Sequence, residues 1–206
     1  MPAGTKGKIV IISSPSGGGK SSICRALLRR NKKSGWRFSV SYTTRPARKN
    51  ERDGREYYFV NRDTYARMQK RGEFAESCIV HQHRYGTPRK FLDDTLRTGG
   101  VMILDVDVKG AFKLKKIYPT AALIFILPPG RAELKRRLKR RGTEDDKQLR
   151  IRRMRAEEEM KLFNRFEFVV VNKDLNTAVN EVDMIIKSLH CRQKNLNLEQ
   201  INRIIG

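Results

Sequence analysis

The chain has 206 residues, 38% hydrophobic and 33% charged, with 45 Lys and Arg against 22 Asp and Glu for a net charge of +23. That balance fits a soluble globular domain with one good-sized core, and the longest apolar runs, such as Ala121 to Leu127, are far too short to span a bilayer. Ile9 to Ile12 is too short for a signal peptide, and the scattered Cys24, Cys78 and Cys191 fit reduced thiols rather than a disulfide framework, so the expected location is the cytoplasm. The positive excess favours nucleic acid, anionic surfaces or phosphorylated substrates, and composition alone does not separate these.

In chain order, Lys8 to Ser13 reads as a buried strand that stops at Pro15 and a run of glycines, and Ser21 to Arg30 reads as a helix. From Arg37 to Arg89 the texture changes to aromatic and basic residues, with short β-like pieces such as Glu56 to Val60 and turns at Asp53-Gly54 and Gly86. Val101 to Val106 and Ala121 to Leu127 are strands, each leading into a helix, Val108 to Ile117 and Arg131 to Arg140. Arg140 to Arg155 is almost wholly charged and reads as a mobile flap with Gly142 as a hinge. Phe166 to Val171 is a fourth strand before the amphipathic stretch Leu175 to Leu189, and the tail after Arg192 is polar. Strands alternating with helices predict a parallel sheet covered on both faces, with ligands at the carboxyl ends of its strands.

The stretch SSPSGGGKSS, Ser13 to Ser22, nearly matches the phosphate-loop pattern G-x-x-x-x-G-K-[ST], with Ser14 in the place of the first glycine. A strand, a glycine-rich turn and a helix in that order is the context such a loop requires. Backbone N–H groups from Gly17 to Ser21 would cradle phosphate oxygens at the positive end of the helix. Lys20 would reach the β- and γ-phosphates, and the Ser21 hydroxyl would ligate Mg²⁺. Ser14 can serve at the strand end if its backbone keeps to negative φ.

Further motifs follow: Phe38 to Arg48 (FSVSYTTRPAR), Gly54 to Val60 (GREYYFV), Gly72 to Glu76 (GEFAE), Tyr85-Gly86-Thr87, Ile103 to Asp107 (ILDVD) and Val171-Asn172. In order and spacing they resemble the guanylate kinase family from about Lys8 to about Leu189. The resemblance implies an α/β P-loop three-layer fold with a parallel central sheet, an inserted GMP-binding module and a mobile lid. On this chain the core would be 8–36, 90–138 and 156–190, the module 37–89, the lid 139–155 and the tail 191–206. It implies transfer of phosphate from ATP to GMP, giving ADP and GDP, with Mg²⁺ accompanying ATP.

Site residues carry over by position. Ser14, Pro15, Ser16, Gly17, Gly18, Gly19, Lys20, Ser21 and Ser22, with Arg137 and Asn172, would bind ATP. Arg45, Arg48 and Tyr57 would hold the GMP phosphate, where two guanidiniums and a phenol make a sensible dianion clamp, with Ser41 and Tyr85 as further GMP contacts. Glu76 and Thr87 would read guanine, because a carboxylate accepts from N1–H and the exocyclic amine whereas adenine would leave it unpaired. Asp105 and Asp107, two apart at a strand end, are expected on one side, facing the nucleotide pocket or Mg²⁺ through water, with Ser21 and Asp107 as the metal residues. Arg137, Arg141 and Arg152 match the arginines that family members bring over the transferring phosphoryl group, with Arg153 as the alternative to Arg152, and Lys20, Arg48, Arg141 and Arg152 are the expected catalytic residues.

Other functions fit the residues less well. A catalytically silent guanylate-kinase-like module that binds phosphopeptides typically lacks the intact lysine-containing loop present here. A nucleic-acid binder would be expected to show a basic stripe with interleaved aromatics, but the aromatic-rich module is accounted for by pocket motifs. A kinase of another small phosphate is disfavoured by Glu76 and Thr87. The expected partners are ATP and GMP, with no membrane or nucleic acid, in a monomer or homodimer.

Overall fold

The computed structural model describes residues 7–48, 51–80, 82–140 and 146–192. In chain order the elements are β1 (Lys8–Ser13), α1 (Lys20–Arg30), β2 (Trp36–Phe38), β3 (Tyr42–Thr43), β4 (Tyr58–Phe59), α2 (Arg62–Lys70), β5 (Phe74–Val80), β6 (His83–Pro88), α3 (Arg89–Thr98) and β7 (Val101–Asp105). There follow α4 (Val108–Ile117), β8 (Ala122–Leu127), α5 (Arg131–Arg140), α6 (Asp146–Met160), β9 (Phe168–Val171) and α7 (Leu175–Ser188).

Five strands form a parallel sheet in the order β2-β7-β1-β8-β9. Its central strand β1 is apolar at successive positions because both of its faces are covered. Ile9 and Ile11 pack on one side with Leu92 of α3, Ala111 and Leu114 of α4, and Phe125. Val10 and Ile12 pack on the other with Ile23 and Leu27 of α1 and Val179, Val182 and Ile186 of α7. The side chain before a helix often starts it: Asn61, Asp107 and Asp174 accept the N–H of Thr64, Gly110 and Thr177 and so cap α2, α4 and α7. α5 and α6 share a small cluster of their own, built on Leu134, Leu138 and Ala156.

A second sheet of four strands, β4-β3-β6-β5, lies within residues 42–88. Gly86, expected at a turn, instead sits inside β6 opposite Tyr42 and Ser77. The glycine is needed for space, since a Cβ there would come within 2.7 Å of the Phe74 ring. β2 also departs from expectation, because Arg37 and Phe38 extend the parallel sheet beside β7 rather than opening the module. Cys24, Cys78 and Cys191 are free thiols. Among the described residues no helix is long and apolar enough to cross a membrane.

Candidate active site

The segment from Ser14 to Ser22 runs from the end of β1 into the first turn of α1, at the carboxyl edge of the parallel sheet. Gly18 N–H donates to the Pro15 carbonyl at 2.9 Å, and Gly17 and Gly19 take φ of 86° and 98°, a region that side chains rarely adopt. Gly19 caps α1 without a side-chain hydrogen bond and no acid stands in the first turn, which leaves the positive helix end open to an anion. Ser14 keeps to the allowed side, since Gln82 is the one described non-glycine residue with positive φ. Its Oγ donates to the Pro15 carbonyl, and a Cβ on Gly18 would lie 2.7 Å from its own Cβ. A side chain at position 14 is thus accommodated because position 18 has none.

Behind the loop stands Asp105, at the tip of β7. Lys20 Nζ ion-pairs with its Oδ1 and Ser21 Oγ donates to its Oδ2 at 2.8 Å. Burial pulls the Lys20 ammonium down, but the Asp105 carboxylate outweighs it and holds the pKa above the usual lysine value. Asp107 does not share this position. It caps α4, with Oδ1 accepting Gly110 N–H at 2.7 Å, and it lies toward Glu76. A Cβ on Gly110 would be 2.9 Å from Asp107 Oδ1 and 3.5 Å from Glu76 Oε2. The two-residue alternation that predicts a common side ends with the strand at Asp105.

Glu76 and Thr87 face each other across β5 and β6. Thr87 Oγ1 donates to Glu76 Oε1 at 2.9 Å, and Glu76 Oε2 is buried with no hydrogen-bond partner. Burial raises the carboxyl to about 6, opposed by the Thr87 hydroxyl and aided by the Asp107 charge. A buried acceptor left open is costly, and a ligand with N–H donors removes that cost.

Arg45, just past the end of β3, is held in place. Its Nη2 donates to both Glu51 oxygens at 2.9 and 2.8 Å, Nη1 to the Pro46 carbonyl at 2.7 Å and Nε to Tyr85 Oη at 3.3 Å. Glu51 also accepts Arg48 N–H at 2.9 Å, while the Arg48 side chain is 75% exposed and only 4.0 Å from Glu51 at its nearest. Tyr57 lies edge-on to Tyr85 and under Arg45, and burial together with the Asp105 charge keeps its phenol protonated. The Ser41 carbonyl accepts Tyr58 N–H at 2.9 Å, joining the start of β3 to β4. Glu51 escaped the sequence reading; its signal is that it is the lone acid between Arg37 and Arg52.

On the far side of the loop, Arg137 donates to the Gly18 carbonyl at 3.3 Å and to the Asn172 carbonyl at 2.9 Å, while Glu133 accepts its Nε. Asn172 Nδ2 donates to the same Gly18 carbonyl at 2.9 Å. Arg152 Nη2 donates to Ser16 Oγ at 3.2 Å, whereas the neighbouring Arg153 pairs with Glu157 on its own helix. Glu159, also outside the sequence motifs, accepts Ser16 N–H at 3.2 Å. Arg141 lies outside the described residues. No group of three or more His, Cys, Asp or Glu side chains among the described residues could hold a metal ion unaided.

The guanylate kinase family model matches residues 6–189. The guanylate kinase of Nitrosomonas europaea is 43% identical over 180 residues, covering 87% of this chain and 89% of that protein. That of Thermotoga maritima is 39% identical, covering 89% of this chain and 87% of that one. A crystal structure of guanylate kinase from Anaplasma phagocytophilum superposes with a TM-score of 0.79 at 31% identity, covering 95% of this chain and 93% of that one.

Proposed function

The chain belongs to the guanylate kinase family, and from that premise we propose how its residues carry out the transfer of the γ-phosphate of ATP to GMP, which yields ADP and GDP. The observation that carries the assignment of the acceptor pocket is Glu76: one carboxylate oxygen engaged by Thr87, the other buried and open. Guanine offers two adjacent donors, N1–H and the exocyclic amine, to that open edge. Adenine offers an acceptor at N1 and nothing at C2, so it would bury a carboxylate unpaired and be rejected by orders of magnitude.

Arg45, Arg48, Tyr57 and Tyr85 bind the GMP phosphate, with Ser41 at the pocket's edge. Arg45 is fixed by Glu51 and contributes geometry, while the exposed Arg48 supplies the charge that moves onto the dianion. ATP lies along the loop from Ser14 to Ser22, with Lys20 on its β- and γ-phosphates and Arg137 and Asn172 holding the loop at Gly18. Arg152 and Arg141 neutralise the transferring group.

No general base is needed. The second phosphate pKa is about 6, so at neutral pH an anionic GMP oxygen attacks the γ-phosphorus as the bond to the ADP oxygen breaks. The protein supplies alignment, exclusion of water and charge neutralisation. Ser21 and Asp105 fit Mg²⁺, because that ion keeps most of its waters and needs only one or two protein oxygens beside substrate phosphates. Bound with ATP, it would add positive charge at the β- and γ-oxygens. Asp105 takes the place first expected for Asp107 because it stands against Ser21 of the phosphate loop, whereas Asp107 turns away to cap α4.

The reading carries a cytoplasmic setting, where thiols stay reduced. All of the side chains invoked belong to one chain, so monomer and homodimer are equally compatible. Its test is the acceptor preference of Glu76→Gln in a coupled ADP assay. The GMP-to-AMP ratio of kcat/KM should fall by at least about tenfold, since the amide presents a donor where an acceptor is needed; an unchanged ratio would refute the base pocket.

A further inference from the structure

Two side chains of α6 end on one residue of the phosphate loop. Arg152, Ala156 and Glu159 are spaced four and then three apart, which aligns them in a single stripe along the helix. Ala156 is fully buried in the contact with α5. On either side of it, Arg152 Nη2 donates to Ser16 Oγ at 3.2 Å and Glu159 Oε2 accepts Ser16 N–H at 3.2 Å.

We propose that Glu159 is a positioning residue for phosphoryl transfer, which holds the loop at Ser16 and thereby sets the bearing of α6 and the place of Arg152. This rests on the reading of Arg152 as an arginine of the transferring group. Ser16 precedes the glycine run, so a carboxylate on its N–H ties the loop to α6 without using the N–H groups from Gly17 to Ser21. The two polar residues are seven apart, about 10 Å along the axis. A helix fixed at one such point can still roll, and fixing it at two, across a small residue packed on α5, removes that freedom. Burial raises the Glu159 carboxyl, with the Ser16 N–H opposing; the Asp107 charge raises it further and Lys20 and Arg155 lower it, so this group stands close to the phosphate-loop charges.

A thermodynamic cycle on kcat tests this, with Glu159→Ala, Arg152→Ala and the double variant, alongside Glu159→Gln. Loss of a charge-assisted hydrogen bond predicts a fall in kcat of about tenfold to a hundredfold for Glu159→Ala. Guanosine affinity should stay within about twofold, because the base pocket is untouched. Glu159→Gln keeps an oxygen for Ser16 N–H and should recover kcat to within about threefold of wild type. In the Arg152→Ala background, Glu159→Ala should cost less than about threefold, since the arginine it positions is gone.

Near-wild-type kcat in Glu159→Ala beside a strongly impaired Arg152→Ala would overturn the inference alone. So would an equal loss in both backgrounds, or a glutamine variant as poor as alanine. Wild-type turnover in Arg152→Ala would instead remove the reading of that arginine, and the inference with it. Should Glu159→Ala melt below the assay temperature, Glu159→Asp, whose carboxylate stops one methylene short, replaces it in the cycle, with the same losses expected and the same results overturning the inference.

Discussion

Replacing Glu76 by glutamine should change stability in a way that depends on pH. The wild-type carboxyl has a folded pKa of about 6 against an ordinary 4.5, raised first by burial. A raised carboxyl pKa means that the folded state holds the proton more tightly than the unfolded chain, so stability is lost as pH rises through that window. At about 1.4 kcal/mol per pKa unit, wild type gives up about 2 kcal/mol between about pH 4 and pH 7 that the amide cannot lose. Urea unfolding of both proteins across that range isolates the effect, since the packing of the amide adds only a constant offset. The variant should gain on wild type by about 2 kcal/mol from the acid end to neutrality; a flat difference would refute the buried, open carboxylate. Binding should move the opposite way. Guanosine, which has no phosphate to titrate, should bind wild type about tenfold more weakly at pH 5 than at pH 7, and Glu76→Gln weakly at both.

Three further outcomes follow from the same contacts. Lys20→Met should lower kcat by at least about 10²- to 10³-fold with circular dichroism unchanged, because the charge proposed for the β- and γ-phosphates is removed while Ser21 still engages Asp105. Gly19→Ala forces a side chain into φ of 98° with its Cβ 2.1 Å from Asn172 Nδ2, so ATP should no longer raise the melting temperature. Arg48→Met should raise KM for GMP by about tenfold or more, yet leave guanosine affinity unchanged, if its guanidinium binds the phosphate as proposed.

The parallel sheet was legible because its central strands β1, β7 and β8 are buried on both faces, which turns them into short apolar runs such as Ile9 to Ile12 and Ala122 to Leu127. α4 and α5 were read to their observed ends, helped by an Asp before the first and a proline-glycine break before the second. The module from Tyr42 to Pro88 was harder. α2 buries Tyr65 alone among its nine residues and so has little periodic signal, and Gly86 looks like a turn until the Phe74 ring above it is seen. At the site, the strand, glycine run and helix pointed to the phosphate loop, while Glu76 and Thr87 came from the family resemblance. What they could not reveal is direction: Asp105 and Asp107 diverge because a strand ends between them. Glu51 contacts Arg45 six residues away, with no more signal than being the lone acid of its stretch, and Glu159 contacts Ser16 from 143 residues away, which leaves no local motif.

The central claim is that this chain passes the γ-phosphate of ATP to GMP and chooses it by its base. ADP formation with GMP, AMP, CMP and UMP at equal concentration, with Mg²⁺ and ATP in excess, tests it most directly. Turnover should be rapid with GMP, with GDP as the second product in equal amount, and rates for the other three should be lower by orders of magnitude. No turnover with GMP, or equal turnover with AMP, would contradict it.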